Sequence, residues 1–165
     1  MTLVPATAEL IGLELDDPDA LGCALQADVP PNWPPALIRD ALPWFRSQLE
    51  ADPALSGWLC WYGMVRNAEG GAALLAASGG FMGPPVEGIV EVGYSILPQF
   101  GGQGYATEMM GALTDWAFAH SNISTVAAEA LPDNGASLRV LKKLGFVQAG
   151  IANDPVHLRF ERRRA

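Results

Sequence analysis

Positive charge is scarce in this chain: 10 Lys and Arg stand against 18 Asp and Glu, a formal net charge of −8. Binding to a nucleic-acid backbone draws on clustered cations, so the balance argues against nucleic acid as a partner. The one basic cluster, "RFERRR" from Arg159 to Arg164, reads as a solvated last strand and tail. Cysteine is rarer still. Cys23 and Cys60 stand far apart with no CxxC or Cys/His spacing, which indicates neither a zinc site nor a disulfide framework and predicts buried free thiols in a reducing compartment. No metal site is expected. No apolar run approaches the ~18 residues of a membrane span. "MTLVPATAELIGLELDDPD" also lacks the basic start and long apolar centre of a secretory signal. The expectation is a soluble, cytoplasmic protein with no membrane partner.

What is abundant is apolar surface, half of 165 residues, enough for one domain with a real core spanning residues 1–165. "AELIGLEL" alternates well enough for a first strand, and "DDPDALGCALQA" opens with acidic caps suited to a short helix. "DVPPNWPPALIRD", with four prolines, must be an irregular connection. Pro35 stands near the start of a second helix through "ALIRDALPWFRSQLEA", which Pro43 kinks or splits. "GWLCWYGMVR", "GAALLAASGGFM" and "GIVEVGYSIL" read as three strands of an antiparallel meander, separated by "NAEGG" and "GPPVEG". Gly104 to about His120 is predicted helical, with Met109, Leu113 and Trp116 marking a buried stripe. "STVAAEAL" follows as a strand, then "DNGASLRVLKKLGF" as a capped helix ending at Gly145, and "VHLRFERR" as the final strand. The fold class is α/β: one mixed, mostly antiparallel central sheet flanked by helices, with a right-handed parallel strand-helix-strand crossover from Val90 to Leu131.

Between the strand and the helix of that crossover lies "ILPQFGGQGYATEMM", three glycines within four residues. A helix start stripped of side chains exposes unpaired N–H groups at the positive end of a dipole, a natural seat for a phosphate. A Walker A loop needs a lysine and a hydroxyl after its last glycine, where this chain has Tyr105 and Ala106. A dinucleotide fingerprint would need glycine where Thr107 stands, although Glu129 lies near its expected acidic position. A tight turn without a ligand is the other reading of the glycines.

"VEVGYSILPQFGGQGYATEMMGALTDWAF" and "AAEALPDNGASLRVLKKLGF" together resemble the GNAT superfamily of acyl-CoA-dependent N-acetyltransferases, with particular likeness to the RimJ/RimL-like branch that acetylates ribosomal-protein N-termini. The resemblance runs from about Gly79 through Phe146 and implies acetyl-CoA as co-substrate, its pyrophosphate wrapped by the main chain of Gly102, Gln103, Gly104, Tyr105 and Ala106. The family's leading Arg or Gln falls on Gly101, a departure that removes a side chain from the cofactor. The resemblance further implies that Ile96 and Leu97 pair through their backbone with the pantetheine arm. Asn134 would bond the same arm, alongside its reading as a helix cap. Ser137 would hand a proton to the departing thiolate, since Leu141 stands where many relatives carry tyrosine.

An alkylammonium has no lone pair to give, so a base must take its proton. Glu91 is the candidate, on the strand leading to the elbow where the superfamily's best-known general-base glutamate lies, with Glu87 and Glu129 as fallbacks. A carboxylate on a half-buried central strand has a raised pKa, which suits a base. The implied activity is transfer of acetyl to a primary amine, a protein N-terminus or a small molecule, by direct attack in a ternary complex; the alternative is a non-catalytic acyl-CoA-binding or sensing module on the same fold. The acceptor is expected against the first helices and the proline-rich connection, near Trp33, Trp44, Trp58 and Trp61. Monomer and homodimer both remain open.

Overall fold

A computed structural model describes residues 1–165. In chain order the elements are β1 (Thr2–Pro5), α1 (Ala8–Asp16), α2 (Pro18–Leu25), β2 (Ala27–Asp28), α3 (Ala36–Arg39), α4 (Leu42–Ala51), β3 (Cys60–Val65), β4 (Ala73–Phe81), β5 (Ile89–Ile96), α5 (Tyr105–Phe118), β6 (Thr125–Ala130), α6 (Gly135–Lys143), β7 (Val147–Ile151) and β8 (Leu158–Arg163). They build one mixed sheet in the order β1-β3-β4-β5-β6-β8-β7, with the two-residue β2 joined to β4. No helix is long and apolar enough to cross a membrane.

The expected meander is β3-β4-β5, antiparallel throughout, and the crossover from β5 through α5 returns β6 parallel to β5. Pro43 does split the second helical stretch, into α3 and α4. The first expectation fails: "AELIGLEL" is α1, not a strand. Its spacing satisfies both periods, but Thr7 accepts a hydrogen bond from the Leu10 N–H, Glu9 lies in the first turn, and the run is rich in Ala, Leu and Glu, all favouring helix. Ile11 and Glu14, three apart, are its buried positions. The first strand is instead the preceding Thr2–Pro5, paired antiparallel with β3. The short β7, which hydrogen-bonds β8 as an exposed edge, and β2 are additions to the sequence reading.

Two apolar clusters fill opposite faces. One joins α5 and α6 to Phe81, Val90, Val92 and Val126; the other joins α1, α2 and α4 to Tyr62, Met64, Leu75 and Leu97. Where Gly63 and Met64 of β3 face Ala77 and Leu75 of β4, one extra β4 residue, Ala76, bulges, so Leu75 and Ala77 face opposite clusters.

One irregularity positions the site. β5 and β6 are paired only over Ile89–Glu91. Beyond Glu91, β5 stays with β4 out to Ile96, whereas β6 stays with β8 out to Ala130, and the half-sheets part. The Leu97 N–H bonds Ala76 O at 2.9 Å and the Met82 N–H bonds Glu91 O at 3.0 Å, so the odd positions of β5 point their backbone groups at β4. By the alternation of an antiparallel ladder, Val92, Tyr94 and Ile96 turn theirs into the gap.

Candidate active site

The gap opens into three adjoining cavities that share Tyr94 and the overhanging Leu37. The first, about 460 Å³, lies between the glycine elbow and α6. Gly102 and Gly104 have φ of 74° and 89°, a left-handed conformation that L side chains rarely adopt, and a Cβ at either would meet no atom within 4 Å. Gly104 caps α5 without a side chain, and its carbonyl receives the Glu108 N–H at 3.1 Å. The N–H groups of the first turn, Tyr105 to Thr107, therefore have no capping partner, and Gly102, Gly104, Tyr105 and Ala106 line the cavity. Gly101 lines it too, but a Cβ there would stand only 3.1 Å from Pro98 O, so a side chain at this position needs the turn to give by a few tenths of an ångström.

α6 supplies the facing wall. Its N-cap Asn134 accepts the Ser137 N–H at 3.1 Å, which leaves the amide NH₂ for a ligand. The helix closes in a Schellman motif, with Phe146 N–H on Leu141 O and Gly145 N–H on Lys142 O, made possible by φ 78° at Gly145. Arg139 and Lys143, four apart and hence on one helix face, project to the same cavity. They are the cations that motif reading missed; the signal was the i, i+4 spacing on a helix already placed beside the elbow.

The second cavity is the crevice between the parted strands, walled by Val92 and Tyr94 on one side and Ala128 and Glu129 on the other, with Ser137 and His157 at its rim. The Tyr94 hydroxyl donates to Ser137 Oγ at 3.2 Å. Burial raises the Tyr94 pKa, partly offset by that bond, so the phenol stays protonated and the Ser137 proton is left free to point elsewhere. His157, unremarked in the sequence, lies with its Nδ1 3.2 Å from Asp154 Oδ2.

The third cavity, about 200 Å³, lies on the α1–α4 side, floored by Gly79, Gly80 and Gly93 and walled by Leu59, Phe45 and Ile38. A Cβ at Gly80 would fall 1.6 Å from Leu59 O, so close approach of the chain enforces the bare floor.

The structure brings Ile96, Gly102, Gly104, Tyr105, Ala106, Asn134 and Ser137 to one cavity. It does not bring three other candidates to that wall. Leu97 is buried in the opposite cluster with its N–H already bonded to Ala76, so Tyr94 rather than Leu97 neighbours Ile96 on the open edge. The Gln103 amide folds back to donate to Gln99 O at 3.1 Å. Glu91 lines none of the three cavities; it follows the face of Gly93 and Ser95, two residues before Gly93, with Arg159 Nη1 3.8 Å from its carboxylate. Burial, and then the neighbouring Glu129, raises its pKa above the usual carboxylate value, while Arg159 pulls it back. The expected tryptophans stand elsewhere. Trp33 and Trp61 are core residues, Trp58 packs on Trp116, Phe81 and His120, and Trp44 is on the surface, beside Phe45 but lining none of the three cavities.

Comparisons with known proteins agree with this geometry. The family described as Acetyltransferase (GNAT) domain matches residues 9–147. The chain is 30% identical over 118 residues to Uncharacterized N-acetyltransferase YjdG of Bacillus subtilis, covering 70% of this chain and 67% of that protein. Among solved structures, the ribosomal-protein-S5-alanine acetyltransferase of Vibrio fischeri superposes with a TM-score of 0.63 at 18% identity, covering 98% of this chain and 91% of that one. RimJ of Mycobacterium smegmatis, solved with CoA-disulfide, gives a TM-score of 0.63 at 19% identity, covering 98% and 80%. With an elbow, a parted parallel pair and a family match over most of its length, the chain belongs to the GNAT family of acetyltransferases, enzymes that use an acyl-CoA donor.

Proposed function

We propose that residues 1–165 act as one N-acetyltransferase domain that moves acetyl from acetyl-CoA to a primary amine, of a small molecule or a protein N-terminus, by direct attack in a ternary complex. The observation that carries this reading is the continuity of a phosphate seat, an unpaired strand edge and a second, apolar chamber along one cleft. The pyrophosphate would rest on the N–H groups from Gly102 to Ala106, with Gln103 contributing only its main chain. Arg139 and Lys143 would supply the positive charge that Gly101 does not. The amide-bearing arm of the donor would lie along Tyr94 and Ile96, extending β5 as a false strand, with the Asn134 NH₂ donating to it.

Acetyl-CoA brings an acetyl group on a good leaving thiolate. Chemistry then requires a neutral amine, held against the thioester carbonyl: the nitrogen lone pair forms the N–C bond, the C–S bond breaks, the amine proton leaves to a base and the thiolate gains one. Glu91 takes the amine proton, directly or through water; at about 3.3 Å per strand residue its Cα is about 7 Å from that of Gly93, on the same face. Its raised pKa moves it toward the working pH, as a base requires. Ser137, held by Tyr94, returns a proton to the thiolate.

The direct test is thiol release from acetyl-CoA by the full chain against a panel of amines, with acetylated product identified by mass. Amine-dependent release supports the reading; tight acetyl-CoA binding with no release to any amine would turn it into a binding module.

A further inference from the structure

The chamber beyond the thioester position carries no charged side chain. Its walls are Leu37, Ile38, Phe45 and Leu59 over a glycine floor, with Phe81 at its edge packed into the opposite cluster, and its polar side chains, Cys60, Ser78, Tyr94 and Ser95, are all neutral. Two of these are already engaged with each other: Cys60 Sγ lies 3.4 Å from Ser78 Oγ, and burial holds the thiol proton in place by pushing its pKa up to about 12. Three carboxylates on neighbouring elements stand outside it. Glu91 is held near Arg159, Glu129 lines the crevice on the far side of Tyr94, and Glu14 is sealed beneath the chamber's helical side by bonds from Trp33 Nε1 at 2.7 Å and the Tyr62 hydroxyl at 2.6 Å.

From this lining we infer that the acceptor is a monoamine with an apolar body, an alkyl or arylalkyl amine or an amino terminus bearing such a side chain, rather than a polyamine or an amino sugar. The inference rests on the acetyl-transfer reading above and deepens it. A second ammonium pushed into the chamber would lose its hydration and find no counter-charge, whereas an alkyl group exchanges water for apolar walls. Size is sufficient: an apolar cavity of about 150 Å³ holds a benzene ring, so about 200 Å³ has room for one side-chain-sized apolar body. The reacting nitrogen then sits where the chamber ends at Gly93 and Met82, next along the strand to Glu91. Leu37 completes the argument. It overhangs all three cavities yet is 83% exposed, a large apolar side chain left for an apolar acceptor to cover. The net charge of −8 concerns long-range approach and does not enter the chamber.

The test uses a matched pair, n-hexylamine and 1,5-diaminopentane, which differ by a terminal methyl against a terminal ammonium. Thiol release is measured at one pH, and calorimetry reports the binding of each amine to the protein with CoA present. A kcat/KM at least 30-fold higher for hexylamine is expected; equal or faster turnover of the diamine overturns the inference while leaving acetyl transfer intact. Hexylamine that binds but is not acetylated, with no release to any amine, would sustain the apolar chamber and overturn transfer, and hexylamine that neither binds nor reacts overturns the inference itself. Leu37→Asp, at a surface position whose loss should spare the fold, is expected to shift the preference at least tenfold toward the diamine; an unchanged ratio would place the acceptor elsewhere. In a final arm 2-phenylethylamine is set against a Phe-Gly-Gly peptide: the faster of the two identifies a free amine or an amino terminus as the source, and failure of both against spermidine overturns the apolar body.

Discussion

The two sides of the cleft are built by different means. On the elbow side the wall is mostly backbone: glycines in left-handed geometry, the uncapped first turn of α5 and the unpaired edge of β5. On the opposite side the wall is side chains drawn from α3, α4, β3 and β4. A backbone wall fits any molecule with the same phosphates and amides, as the proposed common donor requires; a side-chain wall can be rebuilt position by position, as the proposed choice of acceptor requires. Between them stand Tyr94 and Ser137, and in the proposed mechanism Ser137 and, from the neighbouring strand position outside the cavities, Glu91 move the protons.

Breaking this division should give effects of graded size. The largest is expected at Glu91. Glu91→Gln keeps shape and removes basicity, so kcat should fall about 10²- to 10⁴-fold while acetyl-CoA affinity hardly changes. A base must be deprotonated, so the parent's rate should drop as pH falls through a pKa above the ordinary carboxylate value of about 4.3, and that acid limb should vanish in the variant. A parental kcat with the limb intact would remove Glu91 and turn attention to Glu129 or His157, which line the crevice. Next is Arg139→Ala, expected to weaken acetyl-CoA by about tenfold, or ~1.4 kcal/mol, with kcat preserved. The deficit should shrink at high salt, as for any partly exposed ion contact; a salt-independent loss in a titration series would mean altered packing instead. Ser137→Ala should lower kcat about tenfold, ~1.4 kcal/mol, because water can also protonate a thiolate; a loss beyond roughly a thousandfold would give the Tyr94–Ser137 pair a larger role.

The smallest effect falls on stability. Glu14 is buried with its pKa raised, burial outweighing the bonds from Tyr62 and Trp33. A carboxyl whose folded pKa exceeds its unfolded value holds its proton more tightly in the native state, so its contribution is full below the unfolded pKa of about 4.3 and is lost as pH rises through the folded value. Glu14→Gln should abolish that part of the pH dependence of the urea midpoint and leave kcat near the parent's. A variant that retains the slope would assign it to other groups.

The same division explains what was legible in the sequence. The elbow runs directly into α5 and the Asn134 cap directly into α6, so Gly102 with Gly104, and Asn134 with Ser137, could each be read as a pair from local spacing and resemblance. The apolar chamber gathers Ile38, Leu59, Gly80 and Gly93 from separate parts of the chain, and no local pattern announces that they meet. α1 was misread because eight residues fit both a strand and a helix period, and the deciding Thr7 cap lies outside the apolar run. The tryptophans misled for a related reason: large aromatics mark a core as readily as a pocket, and Trp33 and Trp61 serve the core. Arg139 and Lys143 needed the α5–α6 neighbourhood before their spacing meant anything.

The claim on which the rest depends is that backbone at the elbow holds the donor. Calorimetric titration of acetyl-CoA into the parent and into Gly104→Val tests it, because valine is strained at φ 89° and its branches enter the open space before the first turn of α5. The account predicts saturable binding to the parent, and a loss of at least tenfold in a variant whose circular dichroism and thermal transition show it folded; a folded Gly104→Val that binds acetyl-CoA as tightly as the parent would contradict it.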